Sequence, residues 1–179
     1  MVTSFEANQR LRTRFEEFCE SMGGRPRWNG CYIPRNLNRK AVRRIAGFMK
    51  KLEEEAEPFR AILAEPVFRF YFDDGRIVHK LSYGRYNTHI WMEKYVPEEI
   101  ADLVSSSPGF WQTWEDTKHE IDKKLEHNCH IEQDAEGHFT LSCENVGAFT
   151  ESDILKLFET LRTQMPVVED LLREKSRKY

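Results

Sequence analysis

Residues 67–83, VFRFYFDDGRIVHKLSY, decide the fold class. Phe68, Phe70 and Phe72 alternate with polar or mixed side chains, which is the period-2 pattern of a strand with one buried face. The DDG sequence at 73–75 is a hairpin turn signal, and alternation resumes from 76 to 83. This stretch therefore predicts two antiparallel strands joined by a tight turn.

Further strand signals lie on the C-terminal side of this hairpin. Residues 88–96 follow a turn at 84–87 and predict a third strand of a meander, and 129–133 with 138–143 predict a separate hairpin. Strands and helices do not alternate regularly, so a parallel doubly wound sheet is not expected. The prediction is an α+β fold, an antiparallel sheet made of a three-stranded meander plus a hairpin, packed against helices.

Apolar spacing of three and four residues marks the helices. The first is predicted over 5–22 with Thr3 as its cap, the second from near Asn38, and a third long helix after Ser107. A short helix is expected over 97–104. The last helix is expected after Thr150, with a heptad-like apolar stripe and a kink at Pro166.

The length of 179 residues fits one domain. Two prolines, at 58 and 66, are compatible with a boundary between an N-terminal helical subregion at 1–64 and a β-rich core at 65–179. Between Pro26 and Pro34, the sequence predicts a loop with one short extended piece over 28–33.

Cysteine spacing and the length of apolar runs indicate in which cellular compartment the protein is expected. The four cysteines form no C-x-x-C pair and no apolar run is long enough to cross a membrane, so we expect free thiols in a reducing environment. The N-terminus carries no secretory signal pattern. The sequence therefore predicts a cytoplasmic protein that does not engage a membrane.

Charge is distributed unevenly along the chain. The window 21–52 contains no Asp or Glu and nine basic residues, whereas the remainder holds 18 basic and 30 acidic residues. Segregated positive charge of this kind is typical of polyanion-binding segments, because basic side chains displace the counterions condensed on phosphate chains.

Two aromatic residues lie within this basic segment and are candidate platforms for base stacking. The predicted polyanion-binding residues are Arg25, Arg27, Trp28, Tyr32, Arg35, Arg39, Lys40, Arg43, Arg44, Lys50 and Lys51. The competing interpretation is that these cations pair with the acidic remainder of the chain, or only solvate a helix.

Other site types have weaker support in the sequence. His127, Cys129, His130, His138 and Cys143 cluster in sequence, but without the paired spacing of zinc modules, which favours buried core cysteines over a metal site. Neither a metal nor a cofactor is predicted. The meander offers acid–base groups, and no residue is assigned as catalytic. These groups are Asp73, Asp74, His79, His89 and Glu93.

The leading hypothesis is a non-enzymatic binding protein that engages nucleic acid or another polyanion through residues 25–51. The alternative is a protein-interaction module, such as an adaptor, chaperone or inhibitor, that uses the sheet face and the C-terminal helix. A third class is an enzyme without a local motif, whose site is assembled from distant residues.

Overall fold

The structure, a computed structural model, describes residues 1–63, 67–84, 87–94, 102, 106–125, 128–133, 139–146 and 150–178. The described residues form four α-helices, which are α1 (Ser4–Ser21), α2 (Arg39–Ala56), α3 (Pro108–Asp122) and α4 (Glu151–Ser176). They also form seven strands, which are β1 (Arg25–Arg27), β2 (Gly30–Ile33), β3 (Phe68–Asp73), β4 (Ile77–Tyr83), β5 (Asn87–Lys94), β6 (Cys129–Gln133) and β7 (Phe139–Val146).

The strands form one sheet in the order β1-β2-β3-β4-β5-β7-β6. All neighbouring pairs are antiparallel except β2 and β3, which run parallel with Cys31 opposite Phe70. The α+β class is confirmed, as are the meander and the separate hairpin. The parallel pairing joins the N-terminal hairpin to the meander across α2, and the sequence did not predict it.

The phenylalanine alternation builds the centre of the core. Phe68, Phe70 and Phe72 are all almost fully buried, and Phe15 of α1 stacks on Phe68 with ring centroids 4.5 Å apart. Burying a side chain of this size contributes about 1.5–3 kcal/mol, so these strand positions anchor the helical layer to the sheet. The buried side chains of all four helices join one core cluster with this face.

Each helix begins where the sequence predicts it. The side-chain oxygens of Thr3, Asn38, Ser107 and Thr150 each accept a hydrogen bond from a backbone amide three residues further on. These caps satisfy amides that have no partner within the first helical turn, and each is worth about 1 kcal/mol. α2 ends at Ala56 in a short 3₁₀ turn containing Pro58.

The predicted extended piece over 28–33 was only partly right. The structure has two short antiparallel strands, β1 and β2, and Trp28 lies in the turn between them with φ 54°. Two-residue hairpin loops need a left-handed residue to match the twist of the strands, which explains why Trp28 leaves the extended region.

The C-terminal stripe packs inside the molecule. Ile154, Phe158, Leu161, Met165 and Val168 are all buried, and α4 continues through Pro166 to Ser176 as one helix. The helix predicted over 97–104 lies almost entirely outside the described residues. Within the part of the chain that the structure describes, no helix is long and apolar enough to cross a membrane.

Candidate polyanion-binding surface

The cations of α2 share one side of the helix. At 100° per residue, Arg39, Lys40, Arg43, Arg44, Lys50 and Lys51 fall within a sector of about 140°, and all six are exposed. Val42, Ile45 and Met49 occupy the opposite side and are buried. We call these six cations the α2 cationic face.

Ion pairs within the chain neutralise little of the positive charge of residues 25–51. Among the described residues, Arg43 is the one cation of the nine with a carboxylate within 4 Å, at 3.7 Å from Glu151. Both side chains of that pair are more than half exposed, so water and salt weaken the attraction. The positive charge of the segment therefore remains available to an external anion over the described surface.

Two of the nine cations also stabilise the end of α1. Arg35 donates a hydrogen bond of 2.5 Å to the carbonyl oxygen of Met22, and Arg44 donates one of 3.4 Å to Ser21 Oγ. The Arg44 guanidinium lies 5.9 Å from the ring centroid of Phe18. Because the C-terminal end of a helix carries partial negative charge, these contacts are favourable to the fold independently of any ligand.

The β1–β2 hairpin presents the remaining predicted residues at the edge of the sheet. Arg25, Arg27 and Tyr32 are exposed, and Trp28 has 81% of its surface exposed. The Arg12 guanidinium of α1 lies 5.4 Å from the Trp28 ring centroid, the arrangement of a cation–π contact. Holding a large aromatic residue exposed and in a left-handed backbone conformation lowers the free energy of unfolding. Strained positions of this kind are typical of functional sites.

Tyr32 points to the sheet face opposite the helices and extends the surface beyond the predicted segment. Its ring stacks on Tyr71 of β3, with centroids 4.7 Å apart and planes within 5°. A groove of about 650 Å³ beside this pair is also lined by Arg25 and Asp73. The strand alternation predicts that Tyr71 lies opposite the buried phenylalanines but does not bring it to Tyr32, because that contact depends on the parallel β2–β3 pairing.

The acid–base candidates of the meander do not converge. His79 lies on the core face and His89 on the opposite face of the sheet. Asp73 accepts a hydrogen bond from one backbone amide of the turn and Asp74 accepts two, and the amides of Ile77 and Arg76 lower the pKa of the Asp74 carboxyl. The side chain of Glu93 lies outside the described residues. Turn formation accounts for the two aspartates.

His79 is a buried titratable group beside a small cavity. It is 4% exposed, neither ring nitrogen has a hydrogen-bond partner among the described atoms, and burial lowers its pKa to about 4. The cavity has a volume of about 260 Å³ and is also lined by Met92, Phe158 and Pro166. The imidazole is therefore neutral at pH 7 in a mostly apolar setting.

The expectation of free thiols is wrong. Cys19 bonds to Cys31 and Cys129 bonds to Cys143, with Cα–Cα separations of 5.6 Å and 4.0 Å. Strand register explains the second pair, because Cys129 and Cys143 are direct partners of β6 and β7. Sequence spacing alone did not reveal either juxtaposition.

Disulfide formation also bears on the metal-site hypothesis. A cysteine bonded to another cysteine offers no thiolate to a metal. His127 and His138 lie outside the described residues, and His130 lies 3.6 Å from Glu132. No group of three or more His, Cys, Asp or Glu side chains arranged to hold a metal occurs in the described ranges.

Comparison with known proteins does not add a site to those described above. Searches with protein-family models, against curated proteins and against solved structures found no match to this chain. The case for a function therefore rests on the geometry of the protein's own surfaces.

Proposed function

We propose that the protein binds a polyanion, nucleic acid being the favoured class, through the α2 cationic face and the β1–β2 hairpin. The observation that supports this most directly is the common orientation of the six α2 cations. They lie on one exposed side of about three turns of helix. Within the described residues, one of the six has a carboxylate partner.

The spacing of these cations suits an extended chain of phosphates. Arg39 and Lys51 are twelve residues apart, which is about 18 Å along the helix axis. Gly47 lies at the middle of this face, and a Cβ built there meets nothing within 4 Å. The absence of a side chain at this position lets a phosphate backbone approach the helix closely.

Aromatic residues favour nucleic acid over other polyanions. Trp28 and Tyr32 are exposed beside the hairpin arginines. Rings of this kind stack on bases, whereas a sulfated polysaccharide offers no aromatic partner. Heparin is therefore the informative competitor for testing this preference.

The test is oligonucleotide binding at several salt concentrations, measured by fluorescence anisotropy. The charge-reversal variant Lys50→Glu/Lys51→Glu is expected to bind much more weakly. Its affinity should also depend less steeply on salt, by about 0.9 log units per log unit of salt for each duplex phosphate that the variant no longer neutralises. The matched control is Lys123→Glu/Lys124→Glu, which changes net charge equally at exposed positions after α3.

Two results would contradict the proposal. One is that the wild-type protein does not bind oligonucleotides or heparin at low salt. The other is that both charge-reversal variants weaken binding equally, because the effect would then reflect net charge and not the α2 cationic face.

A protein partner is the second candidate function. The described positions of the apolar stripe of α4 pack into the core of the chain itself, so these side chains are not available to a partner. The sheet face opposite the helices remains exposed enough to contact a partner.

A cytoplasmic location also stays a prediction, and the two disulfides weigh against it because such bonds rarely persist in a reducing compartment.

A further inference from the structure

One row of register partners crosses the sheet from edge to edge on the face opposite the helices. Each residue is the direct partner of the next on the neighbouring strand. The row, here called the open-face row, consists of Arg25, Tyr32, Tyr71, Lys80, Trp91, Ser142 and His130. Six inter-strand spacings of about 4.8 Å make it roughly 29 Å long.

Rings and cations are in contact along this row. Tyr32 stacks on Tyr71, and the Lys80 ammonium lies 5.2 Å from the ring centroid of Trp91. Tyr32 is exposed, Tyr71, Lys80, Trp91 and His130 are partly exposed, and Ser142 is buried. The face thus presents aromatic surface and positive charge at adjacent positions.

Of the two rows that flank the open-face row on this face, one contains the exposed carboxylates of Asp73 and Glu132, and the other adds further positive charge. The latter row contains Arg27, Gly30, Arg69, Ser82, His89 and Glu144. Across the open-face row and this basic row the described side chains include four arginines and lysines, at 25, 27, 69 and 80, and one carboxylate, at 144. An anion that spans the two rows therefore meets excess positive charge.

Burial and neighbouring positive charge both act on the titratable groups of these rows. Burial lowers the pKa of Lys80, and the positive charge of Arg69 lowers it further. Burial also lowers the pKa of His89, and the Lys80 charge acts in the same direction, while Glu144 raises that pKa. A phosphate placed among these residues would relieve the repulsion between Arg69 and Lys80.

We infer that single-stranded nucleic acid crosses the open-face row, with bases stacking on Tyr32, Tyr71 and Trp91 and phosphates bound by Arg25, Arg69 and Lys80. This inference rests on the proposed polyanion-binding function and specifies the form of the ligand. Stacking on the rings of a sheet requires bases whose faces are free, as in a single strand, whereas a duplex buries those faces in its own stack. The α2 cationic face holds no aromatic residue in its outward sector and distinguishes the two forms less.

The experiment compares an oligothymidylate of about 16 nucleotides, at the upper end of single-strand site sizes, with its duplex and with heparin. Wild-type protein is expected to prefer the single strand. Trp91→Leu and Tyr32→Ala should each weaken single-strand binding by roughly 5- to 150-fold, the range expected when a base loses one aromatic partner, and should leave heparin binding unchanged. Trp91→Phe, which keeps a ring, should retain most of the affinity.

Control variants separate loss of stacking from loss of fold. Phe5→Ala removes an exposed aromatic residue of α1 and should leave single-strand binding unchanged. Tyr32 is about half exposed, so Tyr32→Ala should lower the thermal unfolding midpoint less than Trp91→Leu does.

The outcomes distinguish this inference from the function on which it rests. The open-face inference would be overturned by equal affinity for single strand and duplex, together with unchanged binding by Tyr32→Ala and by a folded Trp91→Leu. Polyanion binding through the α2 cationic face would then still stand. Failure of wild-type protein to bind any of the three ligands would overturn both.

Discussion

Two Gly→Ala substitutions should change stability in opposite directions. At Gly24, an added Cβ would lie 2.6 Å from Cys31 Sγ, 2.9 Å from Cys19 Sγ and 2.9 Å from Ile33 Cγ1. Both sulfurs belong to a disulfide that is fully buried, so they cannot move aside. Overpacking of this kind costs about 1–3 kcal/mol, and we expect Gly24→Ala to lower the free energy of unfolding by that amount.

Gly47 provides the matched opposite case. It lies within α2, and a Cβ there meets nothing within 4 Å. Alanine restricts the unfolded chain and favours the helix, so Gly47→Ala should raise the free energy of unfolding by about 0.5–1 kcal/mol. Urea denaturation followed by circular dichroism measures both changes, and an unaltered denaturant slope shows that the two-state transition is preserved.

A double-mutant cycle tests the cause of the Gly24 effect. In a Cys19→Ala/Cys31→Ala background the two close sulfurs are absent, so the penalty for Gly24→Ala should shrink by at least about 0.5 kcal/mol. If Gly24→Ala costs the same in both backgrounds, or if it stabilises the wild-type protein, the packing argument at this disulfide is refuted.

Three further predictions concern the hairpin, the disulfides and the buried histidine. Trp28→Gly should raise the free energy of unfolding by up to about 1 kcal/mol, because glycine accepts the left-handed turn, while weakening oligonucleotide binding; a loss of stability would contradict the strain. Cys19–Cys31 and Cys129–Cys143 close loops of 12 and 14 residues, so removing either bond should cost about 3 kcal/mol, measured by urea titration of the Cys→Ala pairs. Since the pKa of His79 falls from 6.5 in the unfolded chain to about 4, stability should rise with pH between those values by on the order of 3 kcal/mol and then level off; His79→Phe should remove that dependence, and an unchanged pH profile would show that another group is responsible.

Local patterns predicted the elements of the fold well. The phenylalanine alternation, the DDG turn and the helix starts near residues 3, 38, 107 and 150 all depend on near neighbours in sequence, and the structure confirms each of them. The parallel β2–β3 pairing joins segments that are distant in sequence, and the two disulfides depend on which residues of adjoining elements lie side by side. Periodicity carries no information about such contacts, so the sequence did not reveal them.

The same distinction applies to the candidate site. The acid-free basic window predicted an exposed helical face, because amphipathic spacing fixes which side of α2 is buried. It missed Tyr71, Lys80 and Trp91, which lie far away in sequence and join Tyr32 in one row only through strand register. A charge count along the chain detects contiguous segments but not a surface assembled across strands.

The shape and charge of β1 affect the behaviour of the protein in concentrated solution. β1 is three residues long, contains Pro26 between two exposed arginines, and forms one edge of the sheet. A short edge with a proline and like charges is a poor template for a strand from another molecule. Replacing Arg25 and Arg27 with neutral residues would therefore promote edge-to-edge self-association, detectable by light scattering as growth in particle size with protein concentration.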